Sequence, residues 1–216
     1  MLKIDVAKAG KRYYNHNNEV MILLKYKLRR RLLKSLPIET DRLILREITM
    51  DDSIDMFEYS SIPEVTEYLM WYPHANLSAT EGYIESLQKR YLRGLYGDWA
   101  VELKSEGKMI GTCGYANIDS YQMTCEIGYV LSPLYRNCGY MSEAVLAILK
   151  LSFETLGFNS ATLRIISENK PSIRLAERLG FGYDFSSHLQ IKGINREVLN
   201  YKISREVYFE KKEAVL

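Results

Sequence analysis

Apolar residues recur along this chain with two different periods, and each change of period marks a new element. Residues 42–48 alternate polar and apolar side chains, which predicts a first strand with Leu43 and Leu45 turned to the core. Thr49 and Asp52 then stand at capping-box spacing, and Ile54, Met56 and Phe57 supply the apolar face of a helix running towards Tyr59. A cleaner capping box, Ser78-Ala79-Thr80-Glu81, precedes Tyr83, Ile84, Leu87, Tyr91 and Leu95 at helical spacing until Gly94 and Gly97 intervene. The run from Tyr68 to His74 between these helices is aromatic and interrupted by Pro73, so it packs over a sheet, lines a pocket, or does both.

Strand patterning returns at residues 98–103, 108–118 and 123–131, and Ser105-Glu106-Gly107 is a turn between the first two. From Gly139 onward Met141, Val145, Ile148, Leu149, Phe153 and Leu156 share one helical face, which ends near Gly157. Residues 161–166 form a further strand, and Asn169 caps a helix that has Pro171 in its first turn and stops at Gly180. Residues 181–187 and 198–204, around Lys192-Gly193, complete the pattern. The fold class expected is α/β (α+β), a single domain with a mixed, mostly antiparallel central sheet and helices on both faces.

Composition narrows the class. With 216 residues, 47% of them hydrophobic and 26% charged, the chain suits one globular domain and is neither fibrous nor disordered. No apolar stretch approaches the ~20 residues of a membrane span, and the N-terminus lacks a secretory signal pattern, so a cytoplasmic location is expected. Cys113, Cys125 and Cys138 are odd in number without C-x-x-C pairing, and His16, His74 and His188 have no ligand spacing, so no metal is assigned.

Charge is uneven. Residues 1–36 carry ten Lys/Arg against Asp5 and Glu19, a net +8 that leaves −6 on the remainder. Within this segment residues 20–36 alternate apolar and basic side chains, consistent with a basic amphipathic helix. Such a helix suits rRNA, an anionic membrane, its own domain or a homodimer mate. The organisation expected is a basic extension over 1–36, a domain over 37–205 and a tail over 206–216.

The chemistry concentrates where a strand, a tight turn and a helix start follow one another, at Tyr135-Arg136-Asn137-Cys138-Gly139-Tyr140-Met141-Ser142-Glu143-Ala144. Unpaired amides at a helix N-terminus, with the positive end of its dipole, hold a phosphate without a basic side chain. Gly139 lets the backbone approach closely.

Arg136 and Gly139 fit the pyrophosphate loop of the GCN5-related N-acetyltransferase (GNAT) family, which this sequence resembles; Met141 departs from that loop's pattern. The closer resemblance is to the branch of the ribosomal-protein alanine N-acetyltransferases, in which Met at this position is tolerated. It is carried in order by Glu39-Thr40-Asp41-Arg42-Leu43-Ile44-Leu45-Arg46, Glu126-Ile127-Gly128-Tyr129, Gly139-Tyr140-Met141-Ser142-Glu143-Ala144 and Asn169-Lys170-Pro171-Ser172.

This resemblance implies acetyl-CoA as donor and direct attack by a primary amine, a protein N-terminal α-amine or a small molecule, in a ternary complex. Arg136, Asn137, Cys138, Gly139, Tyr140 and Met141 would hold the pyrophosphate. Tyr129, Val130 and Leu131, on a strand splayed from its neighbour, would pair with the pantetheine arm, joined by Asn169. Ser172 would contact the cofactor and protonate the departing thiolate, with Tyr129 and Tyr201 open for that role. Glu126 is the base or water-orienting residue, with an exposed strand Glu as the equal alternative; Asp119 and Glu143 compete with it. Trp71, Tyr72, His74 and Trp99 are acceptor-pocket positions, equally explicable as core aromatics. The alternative function is a non-catalytic CoA-binding module that engages rRNA or membrane through the basic segment.

Overall fold

The computed structural model describes residues 26–28, 30–32, 34–92 and 97–214. Residues 26–28, 30–32 and 34 are helical and are termed α1; the rest of the basic segment lies outside the described residues. Leu28 and Leu32, one turn apart, are 4% and 5% exposed and join the main core, so this stretch is built into the domain.

Alternation in residues 42–48 resolves into β2 (Leu43–Arg46), whose Leu43 and Leu45 are fully buried, preceded by the short partner β1 (Ile38–Glu39). The Asp52 carboxylate accepts the Thr49 amide at 2.7 Å, the predicted capping contact, and α2 (Ser53–Ser60) follows. The one-turn helix α3 (Pro63–Thr66) is too short to leave a periodic signal. Helix α4 (Leu77–Leu92) starts earlier than the sequence pattern implies, because Asn76, whose Oδ1 accepts the Ala79 amide at 2.9 Å, takes the place expected of Ser78. The expected contributions of Gly94 and Leu95 lie outside the described residues.

Strands β3 (Asp98–Leu103), β4 (Lys108–Asp119) and β5 (Thr124–Leu131) form the antiparallel meander. Helix α5 (Tyr140–Lys150) continues as one π-helical turn, Leu151–Leu156, and stops at Gly157 with φ 77°. Strand β6 (Ser160–Ile166) leads to α6 (Lys170–Arg178), and β7 (Gly182–Ile191) and β8 (Ile194–Ser204) close the sheet as a hairpin longer than the pattern predicts. The tail beyond β8 forms α7 (Arg205–Glu213), on which Tyr208 and Phe209 pack against the core while the charged residues face outward.

The sheet has eight strands in the order β1-β2-β3-β4-β5-β6-β8-β7, antiparallel throughout except for β5 and β6. One face packs on α5, α6 and α1 through Trp99, Cys113, Tyr115, Ile148, Phe153 and their neighbours. The other packs on α2 and α4 through Ile48, Met56, Tyr59, Ile84 and Leu87.

A buried ion pair fastens β2 to α2. The Arg46 guanidinium grips Asp52 at 2.7 and 2.8 Å and Glu102 on β3 at 2.6 Å, with Asp52 only 3% exposed. Burial pushes the Asp52 carboxyl up, but hydrogen bonds from Arg46 and Thr49 outweigh it and the net shift is downward. Asp52→Asn leaves the Arg46 guanidinium with Glu102 alone and removes the charge from two of its hydrogen bonds, so it is expected to destabilise the fold by about 2 kcal/mol in urea unfolding. Because the folded pKa is depressed, this stabilisation is fully present above the unfolded value of about 3.9 and is lost as pH falls through the folded one. The wild-type and Asp52→Asn stabilities should therefore converge in acid.

Candidate active site

The turn between β5 and α5 is shaped as an anion cradle. Asn137 and Gly139 take φ of 62° and 81°, turning successive peptides so that their N–H groups converge. The first hydrogen bond of the helix runs from the Glu143 amide to the Gly139 carbonyl at 3.1 Å. The amides before it, from Asn137 to Ser142, have no acceptor among the described residues. Met141, the departure from the loop pattern, is 6% exposed and turned into the core, so its size leaves the cradle untouched. Cys138 is exposed. Arg136 is tied to Glu64 of α3 at 2.5 Å rather than reaching over the cradle.

Another arginine holds this loop. Arg42, in the turn between β1 and β2, donates from Nη1 to the Cys138 carbonyl at 3.0 Å and from Nε to Glu143 at 2.7 Å, and stacks over the Tyr140 ring at 4.5 Å. Glu143 also accepts the Thr40 hydroxyl at 2.6 Å and the Arg42 amide at 2.9 Å. Burial raises the Glu143 carboxyl, but these hydrogen bonds prevail and hold it below its usual range. Glu143 thus braces the loop. Thr40 and Arg42 stood in a quoted sequence segment, but no local spacing indicated that they reach a loop a hundred residues away.

Beside the cradle the sheet opens. Strands β5 and β6 pair only at Thr124↔Ser160, Cys125↔Ala161 and Glu126↔Thr162, while β5 continues to Leu131 along β4. Its edge from Ile127 to Leu131, which includes Tyr129, Val130 and Leu131, therefore faces the gap. The Tyr129 hydroxyl is buried without a hydrogen-bond partner of good geometry among the described residues, and burial pushes it up to about 12, with the neighbouring Ser172 hydroxyl opposing the shift. The structure thus brings Tyr129 and Ser172 together across the gap. Asn169 caps α6, its Oδ1 accepting the Ser172 amide at 3.3 Å.

Other predicted positions are engaged elsewhere. Glu126 is paired with Arg164 of β6 at 2.8 Å. Asp119 accepts the Tyr121 and Gln122 amides at 2.8 and 3.0 Å in the β4–β5 turn. Tyr201 donates to Glu177 at 3.3 Å from β8.

On the α2/α4 face a pocket of about 290 Å³, counted to its open mouth, lies between Met56, Tyr59, Tyr83, Asp98, Thr112 and Val130. Of the four predicted acceptor-pocket residues, Trp71 and His74 line it. Tyr72 is 67% exposed, with the Lys192 ammonium 5.2 Å above its ring. Trp99 is 2% exposed on the opposite face, edge-on to Tyr115 at 5.5 Å, so it is a core residue and no part of the pocket. The alternation of β3 sends Trp99 and Val101 to α5 while Asp98 and Ala100 face α2. His74 is fixed through Nδ1, which contacts the Ser60 and Thr80 hydroxyls at 2.9 and 2.8 Å, and burial lowers its pKa, which favours neutral imidazole. Tyr59, Tyr83 and Asp98 were missed, since isolated polar residues within apolar faces carry no pattern of their own.

Comparison with known proteins agrees with this arrangement. The acetyltransferase (GNAT) domain family matches residues 42–182. The uncharacterized N-acetyltransferase p20 of Bacillus licheniformis is 33% identical over 142 residues, 66% of this chain and 80% of its own length. The uncharacterized N-acetyltransferase YoaA of Bacillus subtilis (strain 168) is 32% identical over 149 residues, 67% of this chain and 81% of its own. Among solved structures, a GNAT-family acetyltransferase from Bacillus anthracis superposes with a TM-score of 0.70 at 25% identity, over 78% of this chain and 98% of that one. The ribosomal L7/L12 alpha-N-protein acetyltransferase RimL shares the fold, with a TM-score of 0.69 at 16% identity over 78% of this chain and 93% of its own. The family match spans both the anion cradle and the parting of β5 from β6, and the chain belongs to the GNAT family of N-acetyltransferases.

Proposed function

We propose that this protein transfers the acetyl group of acetyl-CoA to a primary amine, either a protein N-terminal α-amine or the amine of a small molecule, by direct attack in a ternary complex. The observation that carries this reading is the run of amides from Asn137 to Ser142, without acceptors among the described residues, beside the edge of β5 that has left β6. The residues present fit the donor: the cradle matches a pyrophosphate, and an extended amide-bearing arm matches the open strand edge from Ile127 to Leu131. Asn169 and Ser172 border the same gap from α6. Acetyl-CoA supplies a thioester whose carbonyl carbon accepts the nitrogen lone pair and whose thiolate leaves.

The chain's own residues then have three tasks. The edge amides of β5 orient the arm and polarise the carbonyl. An amine must be unprotonated to attack, which an α-amine with a pKa of about 7.7 to 8.0 achieves more readily than a Lys-type amine near 10.4. The thiolate needs a proton as the C–S bond breaks, and the buried Tyr129 hydroxyl, protonated throughout the physiological range, can donate it with Ser172. The Arg164 ion pair occupies Glu126 and weighs against a role for this residue as the base.

Excess acetyl-CoA at about 100 times its dissociation constant is expected to add about 2.7 kcal/mol of stability, read as a rise in thermal midpoint. In Gly139→Val the rise should shrink to less than half, because a side chain at φ 81° distorts the cradle and its Cβ meets Arg42 Nη2 at 3.4 Å. No rise in the wild type would refute the cofactor reading. Ser172→Ala and Tyr129→Phe should each lower kcat, by roughly 10²-fold for whichever hydroxyl is the proton donor, with acetyl-CoA affinity near normal. Unchanged turnover in either variant removes that residue from the role.

A further inference from the structure

The pocket beneath α2 and α4 presents more polar atoms than its own hydrogen bonds use. Tyr59, which lines the pocket, is 2% exposed, and its hydroxyl has no hydrogen-bond partner among the described residues. Asp98, at the head of β3, accepts the Tyr83 hydroxyl on Oδ2 at 3.0 Å, and its Oδ1 has no donor among the described residues. His74 uses Nδ1 for Ser60 and Thr80, which leaves Nε2 without a partner among the described residues. Asp98, Tyr59 and His74, each with a polar atom to spare among the described residues, thus line one space.

That space is small. The pocket admits about one water-sized group, the size of an amino nitrogen and smaller than a branched carbon. It also adjoins the gap in the sheet, since Val130 lines the pocket with its side chain while its peptide belongs to the stretch of β5 that has left β6. A group bound against Asp98 therefore lies beside the strand edge assigned above to the thioester arm.

We propose that Asp98 and Tyr59 hold the amino group of the acceptor, and that the pocket selects primary amines carried on an unbranched methylene stem. The inference rests on the acetyl-transfer reading and deepens it by naming the amine class. Asp98 accepts hydrogen bonds from the amino group and Tyr59 supplies a second acceptor. An arriving ammonium gives one proton to the Asp98 carboxylate and its freed lone pair attacks the carbonyl carbon. As the C–S bond breaks, the Tyr129 or Ser172 hydroxyl protonates the departing sulfur and is reprotonated by the second proton that the nitrogen loses on becoming the amide, while Asp98 returns its proton to solvent. Burial raises the Asp98 carboxyl above its usual range, with the Tyr83 hydrogen bond and the Arg90 charge pulling it back, which suits a group that takes a proton.

The test uses the full chain, acetyl-CoA and three probes at matched ionic strength: n-butylamine, its α-branched isomer sec-butylamine, and n-butanol. Thiol release should show n-butylamine favoured over sec-butylamine by at least tenfold in kcat/KM. Asp98→Asn should raise KM for n-butylamine at least tenfold while leaving that for acetyl-CoA within twofold. Tyr59→Phe, a near-isosteric second variant, should raise it severalfold. In the absence of acetyl-CoA, n-butylamine should raise the thermal midpoint of the wild type and not of Asp98→Asn, and n-butanol should do neither. If n-butylamine binds in this Asp98-dependent way but no amine is acetylated, the transfer reading fails and the amine site stands. Transfer that is insensitive to both substitutions, equal use of the branched isomer, or absence of n-butylamine binding overturns the amine site.

Discussion

The architecture turns on the point at which β5 stops pairing with β6. Strand β5 has an antiparallel partner along its whole length in β4, and β6 has one in β8 from Ser160↔Ser204 to Ile166↔Val198. The two antiparallel leaves share only three parallel pairs, the last of them Glu126↔Thr162. A bulge in β4 between Tyr115 and Asn117 lies directly opposite this point, because Tyr115 faces Ile127 and Asn117 faces Glu126. An extra residue bends its strand and increases local twist, which accounts for β5 turning away there. Backbone groups left unpaired inside a domain need partners, which supports the proposed place for an extended ligand in the gap.

The cradle at the head of α5 depends on a separate device. Its exposed loop has few apolar contacts of its own, yet Arg42 pins it through the Cys138 carbonyl, the Glu143 carboxylate and the Tyr140 ring together. The anchoring strand β2 is in turn fixed by Leu43 and Leu45 in the core and by the buried Arg46–Asp52 pair. The loop is thereby held in one conformation by the protein's own contacts, so in the proposed donor site its ordering at binding costs less entropy. The two faces of the sheet divide the remaining labour. The α5 face is filled with aromatic and aliphatic side chains, while the α2/α4 face retains polar groups around a small space.

Much of this was legible along the chain. The strands at 98–103, 108–118 and 123–131, the helix from Gly139 and the cap at Asn169 follow from period, glycine and capping chemistry, which act over four residues or fewer and so are written locally. The tight turn at Gly139, with φ 81°, was readable for the same reason. Elements that escaped were those with too little pattern, such as the one-turn α3, or with mostly charged residues, such as α7.

Tertiary structure decided the rest. Alternation in β3 was plain, but only its register with β4 and the placement of the helices determined that Trp99 enters the core while Asp98 faces the pocket. Glu126 looked free in sequence, and its neutralisation by Arg164 arises because β5 and β6 still run side by side at that residue. Tyr59, Tyr83, His74 and Asp98 come from two helices, a loop and a strand, and they line one pocket only where these meet. Local physics selects elements one turn or one pleat at a time, whereas a site is set by how twisted strands and packed helices bring distant residues within hydrogen-bond reach.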